Sequence, residues 1–178
     1  MRKSRKNVEN KNEENRQIEE LLQKVDSFQN LSEQLQYQMD VIKSLGNIYA
    51  CIYFIDVKND SFVELSSFVE LQSTLKEKEN EFHASVLFDV LCSTFVIPEY
   101  SDSLRTFTDL KKMDSLLDGR KKTSIELFVK NLGWYLARIL EVDRDEDNNL
   151  SHILFVMKDI NEEKNLELAS RKASEEYK

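Results

Sequence analysis

Apolar residues recur in the first quarter of the chain at Ile18, Leu21, Val25, Phe28, Leu35, Met39 and Ile42, in alternating steps. These are the a and d positions of a heptad, with Ser32 at the one polar a position. A stripe of this period over about four heptads, uninterrupted by Gly or Pro, predicts a helix over 17–45 that dimerises through these side chains. Leu22, Leu31 and Leu45 widen the stripe. The same face would therefore also suit an amphipathic helix packed on its own domain. Gly46 and Asn47 offer a C-terminal cap, and the polar residues 1–16 read as a tail.

At Ile48 the texture changes. Ile48–Val57 (IYACIYFIDV) is dense in β-branched and aromatic residues, Lys58-Asn59-Asp60 has turn chemistry, and Ser61–Leu65 (SFVEL) follows. This predicts two linked strands. The first is apolar on both faces, so both should be covered, one by the domain's helices and the other by the N-terminal helix or a partner. Residues 66–120 lack strand alternation and predict helices. Phe82, Val86, Leu87, Val90 and Leu91 form one apolar face, and Pro98 and Tyr100 mark a break. Another helix is expected from Phe107 to Leu117, capped by Thr108 or Asp109 and stopped at Asp118-Gly119.

Thr123–Lys130 alternates as a third strand and turns at Asn131-Leu132-Gly133. Gly133–Val142 and Ile153–Met157 flank the polar run DRDEDNN and predict a hairpin, with Asn148 and Asn149 tolerating the left-handed backbone of the reversal. Asp159-Ile160-Asn161-Glu162-Glu163 then has the signature of a helix N-terminus, short side-chain oxygens followed by carboxylates. The last strand is thus expected to feed directly into an outgoing helix.

Composition narrows the picture. The chain has 178 residues, with three Gly, one Pro, 33 % charged residues and a net charge of −8. Few breakers favour long helices over a loop-rich sandwich. The negative balance disfavours nucleic acid, and the basic MRKSRK reads as a solvated terminus. Cys51 and Cys92 lie in apolar runs and read as buried thiols of a reducing compartment. No apolar run approaches the roughly 20 residues of a membrane span, and no secretory signal is visible. A cytoplasmic location is expected.

The order helix, two strands, helical middle, three strands, helix resembles a PAS domain over roughly Leu45–Lys164. Asp159 and Ile160 match the first two positions of that family's D-I-T-like triplet, with Asn161 where Thr or Ser is commoner. Trp134 and Arg138 fit the W…R of its preceding strand. The resemblance implies an α+β fold: a PAS-like five-stranded antiparallel sheet with helices on one face, after a long N-terminal amphipathic helix and before an outgoing one. It divides the chain into a tail (1–16), a dimerisation helix (17–45), a PAS-like domain (46–160) and a signalling helix (161–178). It further implies a bacterial sensory and dimerisation module. Asp159, Ile160 and Asn161 would pass changes in the sheet to an output domain beyond Lys178, such as a diguanylate cyclase or histidine kinase.

Candidate chemistry is sparse. The three glycines are too dispersed to cradle a phosphate. His83 and His152 are isolated, and the acidic turn Asp143–Asp147 lacks the Gly and terminal Glu of a Ca²⁺ loop. No catalytic or metal site is expected, and any catalysis would belong to the output domain. The Cys contexts VLCSTF and ACIYF differ from the N-C-R-F-L-Q-like context of flavin-binding PAS domains, and His83 reads as a surface helical residue. Neither flavin nor haem is therefore expected. An unidentified small molecule is the remaining ligand candidate, with Tyr49, Tyr53, Trp134 and Arg138 as pocket residues. Arg138 suits a carboxylate; its structural alternative is a strand residue that points at solvent or pairs with Glu126 or Glu141 across the sheet. The rival function is a ligand-free coiled-coil scaffold with a protein-interaction domain.

Overall fold

The computed structural model describes residues 2–46, 48–77 and 83–176. Asn47 and Phe82, and the side chains of Leu35, Met39 and Ile42, lie outside the described residues. The chain forms two compact units, Met1–Ile42 and Lys43–Lys178.

The first unit is helical. Helix α1 (Arg2–Leu45) starts well before the expected boundary, so the stretch 1–16 expected as a tail is helical from Arg2 on. Nothing in that stretch breaks a helix, and once nucleated a helix propagates at little cost. Its end at Leu45 is as expected, with the amides of Ile48 and Tyr49 bonded to the Leu45 carbonyl. Ile18, Leu21, Val25 and Phe28 are all exposed. The apolar stripe of α1 is therefore open to water along its described length.

The second unit is a five-stranded antiparallel sheet with helices. Its strands are β1 (Cys51–Asp56), β2 (Ser61–Ser66), β3 (Lys122–Val129), β4 (Gly133–Arg144) and β5 (Leu150–Asp159), in the spatial order β2-β1-β5-β4-β3. The element order is the one that the resemblance to PAS domains implies.

Strand alternation decides which face is dry. Cys51, Tyr53 and Ile55 of β1, Tyr135, Ala137 and Ile139 of β4, and Ile153, Phe155 and Met157 of β5 all enter one core. Helices α2 (Val69–Glu77), α3 (Ala84–Val90), α4 (Pro98–Phe107) and α5 (Met113–Leu117) close it with Leu71, Leu87, Leu104, Phe107, Met113 and Leu117. Each fully buried Leu, Ile or Phe adds about 1.5–3 kcal/mol. The ring of Phe88 meets Phe155 edge-on at 5.1 Å and ties α3 to the central strand. On the opposite face Ile52 and Val156 are buried, while Phe54, Leu136 and Leu154 are half-buried.

The helical middle differs from expectation. Pro98, read as a break, is the first residue of α4, where its missing amide hydrogen costs nothing. The helix expected over Phe107–Leu117 is two pieces. Helix α4 ends at Phe107, the Thr108 hydroxyl donates back to the Leu104 carbonyl at 2.8 Å, and α5 begins only at Met113. Asp118, at φ 49°, ends α5 in the left-handed conformation. Helix α3 runs on as one π turn, Leu91–Phe95.

No helix among the described residues is long and apolar enough to cross a membrane.

Candidate functional site at the strand to helix junction

Strand β5 ends at Asp159, and helix α6 (Asn161–Glu176) starts two residues later. Ile160, the single residue between them, is buried. Its amide donates to the Trp134 carbonyl at 3.0 Å and its carbonyl accepts from the Lys164 amide at 2.9 Å. Ile160 thus belongs to the sheet on one side and to the helix on the other.

The side chain of Asn161 does not cap its own helix, as the sequence had suggested. It turns back to the loop before β4. Its Oδ1 accepts from the Trp134 amide at 2.8 Å, and its Nδ2 donates to the Leu132 carbonyl at 2.9 Å. Asp159 holds it there: one carboxylate oxygen accepts from the Asn161 amide at 2.8 Å and from Nδ2 at 2.9 Å. Of the two short side chains in the expected helix-start signature, it is Asp159 that accepts from the helix's first amide.

Gly133 makes room for this arrangement. Its φ of +98° is a conformation that side chains disfavour, and the Asn161 carboxamide stands where a β-carbon would project. Asn131, at φ 62°, sets up the same turn.

Charged side chains bind the first turn of α6 to the sheet. Lys164 pairs with Glu126 of β3 at 2.5 Å and with Glu167 at 3.1 Å. Its ammonium lies 5.4 Å from the centre of the Trp134 ring, within cation–π range. Glu126 first and Glu167 second raise the Lys164 pKa above its usual value. Lys158, on β5, pairs with Glu163 and lowers that carboxyl's pKa. Beyond this turn α6 is unsupported, with Leu166 and Leu168 exposed.

The four pocket candidates do not converge. Tyr53 lies in the core, its hydroxyl 2.6 Å from the Ser67 hydroxyl, and burial raises its pKa. Tyr49 is half-buried in the connection from α1 to β1. Trp134 and Arg138 alternate with the core residues of β4 and so face the other way. Trp134 packs edge-on against Tyr100 and Phe128, which makes it part of the junction. Arg138 pairs with neither Glu126 nor Glu141, since Glu126 is held by Lys164, and Glu141 by Lys121 and Arg144.

A cleft of about 490 Å³ opens elsewhere, between the β1–β2 turn, α3 and the segment after α4. Val57, Phe88 and Leu110 give it an apolar lining, and Arg105 and Asp89, paired at 2.8 Å, mark its rim. Its size suits a small molecule. No group of His, Cys, Asp and Glu suited to a metal ion occurs among the described residues.

A scan against family models finds no match to this sequence, and a search of curated proteins finds none either. Among solved structures, the chain matches the domain of a protein designated a light and redox sensing histidine kinase from Haloarcula marismortui. The two are 12 % identical, with a TM-score of 0.45, and the match covers 68 % of this chain and 99 % of that one.

Sequence reasoning placed Asp159, Ile160 and Asn161 at the junction but missed Gly133, Glu126 and Lys164. Gly133 was legible only as a turn residue. Glu126 was considered only as a partner for Arg138, and Lys164 looked like an ordinary surface charge, because their pairing depends on where α6 lies over β3.

Proposed function

We propose that this chain is a PAS-type sensory and dimerisation module, not itself an enzyme, which transmits a change in its sheet to helix α6 and through it to an output domain. The observation that carries the reading is the double attachment at Ile160 and Asn161. Backbone and side-chain bonds to Leu132 and Trp134 fix the direction in which α6 leaves the sheet. A small displacement of β4 against β5 therefore becomes a change in that direction. A ligand drives such a change only if it binds the two arrangements with different affinities. The exposed stripe of α1 favours a homodimer formed by that helix.

The test is Asp159→Ala in a chain whose output activity is measured. Folding is retained and control of the output is lost; regulation as in the parent would overturn the proposal.

The exposed stripe also supports a second reading, a ligand-free scaffold that serves only to pair chains. Native mass spectrometry separates the two, because a sensor retains a small molecule under gentle conditions and a scaffold shows the dimer mass alone.

A further inference from the structure

We infer that the outer face of the sheet, at the start of β3, carries a binding site for a small multivalent oxyanion, a phosphate or a polycarboxylate. A cleft of about 260 Å³ is lined there by Arg120, Lys122, Thr123, Ser124 and Arg138. That is three cations and the hydroxyl of Ser124 on the face of Arg138, with no carboxylate in the lining, in a chain whose net charge is −8.

The topology brings these side chains together. Ser124 is the register partner of Arg138, and Lys122 lies opposite Leu140, one pleat further along the same face. Directly opposed residues place their β-carbons about 5 Å apart. Arg120 is aimed by the end of α5, its guanidinium donating to the carbonyls of Leu117 at 3.2 Å and Leu116 at 3.4 Å. Those bonds use only some of its five donors. On the other side of Arg138, β5 presents Val156, an apolar neighbour that does not compete for the guanidinium.

The nearby carboxylates are engaged elsewhere. Glu126 holds Lys164, and Glu141 holds Lys121 and Arg144. Arg138, Lys122 and Arg120 form no ion pair among the described residues, whereas Arg144 and Lys158, the other cations on the strands, do. Grouping like charges without counter-charges is unfavourable, and a bound anion relieves it through charge-assisted hydrogen bonds. The bland alternative is that Lys122 merely protects an edge strand from pairing. It does not account for Arg138, which lies one strand in.

The site is independent of the signalling proposal, since binding is measured without any output. Isothermal titration of the whole chain with inorganic phosphate, pyrophosphate and citrate, at low and at raised salt, is the test. The expected result is saturable one-to-one binding of at least one of them, weakened by salt and reduced about tenfold by Arg138→Gln and by Lys122→Gln. Binding of citrate without the phosphates assigns the site to carboxylates, and the reverse assigns it to phosphoryl groups. Lys122 is exposed, so its variant decides the matter should Arg138→Gln fail to fold. Absence of saturable binding, or binding that both variants leave intact, overturns the proposal.

Discussion

The α-carbon of Gly133 lies against the side chain of Asn161, and a β-carbon at Gly133 would overlap the oxygen, carbon and nitrogen of its carboxamide. Two residues far apart in sequence thus share one small space. Gly133→Ala should cost about 1–3 kcal/mol in backbone strain alone, before the overlap is counted. A lowered urea midpoint, with loss of amide-exchange protection greatest in the first turn of α6, is the expected measurement.

Asn161→Ala should cost about 1–3 kcal/mol, because it strands the Trp134 amide and the Leu132 carbonyl at a half-buried site. Asn161→Asp differs in kind. It keeps an acceptor for Trp134 but sets a second carboxylate beside that of Asp159, and like charge raises the pKa of the pair. Its charge penalty should be full above the raised pKa of the pair, shrink as the pH falls through that value and be gone below the ordinary carboxylate pKa of about 3.9, whereas the penalty of Asn161→Ala stays level. Urea midpoints across the acid range distinguish them.

Glu141 predicts an acid limb. Its side chain is only 4 % exposed, and Lys121 first, then Arg144, hold its carboxyl below the ordinary value of 4.5. A group whose folded pKa is lowered contributes stability above its unfolded pKa and loses it as the pH falls through the folded one. Glu141→Gln should therefore lower stability at neutral pH and flatten its decline on acidification. Thermal melts of both proteins over the acid range provide the check.

Val25→Glu combined with Phe28→Glu should convert the proposed dimer to a monomer in light scattering. Both side chains are exposed on α1, so the unfolding midpoint of the sheet domain should move by no more than about 0.5 kcal/mol. An unchanged mass would remove the helix-paired dimer.

Cys51 and Cys92 are buried and free. Burial pushes the Cys92 thiol up from 9.0 to about 11, roughly a hundredfold less thiolate at a given pH, and raises that of Cys51 as well. Thiol reagents should label neither at an appreciable rate until the protein is unfolded. The thiols' contribution to stability is present below their ordinary pKa and is lost as the pH rises toward the folded one.

Much of the fold was legible because its signals are local. Runs of β-favouring residues marked all five strands, and of Asn148 and Asn149, both expected to tolerate left-handed backbone, Asn148 adopts it; Asn131, Gly133 and Asp118, read only as turn or stop residues, adopt it as well. The helical middle was harder. Pro98 stops a helix or starts one, and only its neighbours in space tell which. Thr108 ends α4 by bonding back to Leu104, although its sequence context suited a helix start equally well. At the junction, position was readable and partnership was not. Asn161 is an ordinary capping residue until the turn at Leu132–Trp134 is folded against it. Arg138 was singled out for its chemistry, but its companions Arg120 and Lys122 emerge only once β3 is laid beside β4.

Strand β5 occupies the middle of the sheet, with β1 on one side and β4 on the other. The polypeptide that continues as α6 is therefore bonded to both flanking pairs, β2-β1 and β4-β3. Under the proposed mechanism, a shear in either flank would reach the same rod, and opposed shears would subtract there. A strand at the margin would answer to one neighbour; this one would compare two.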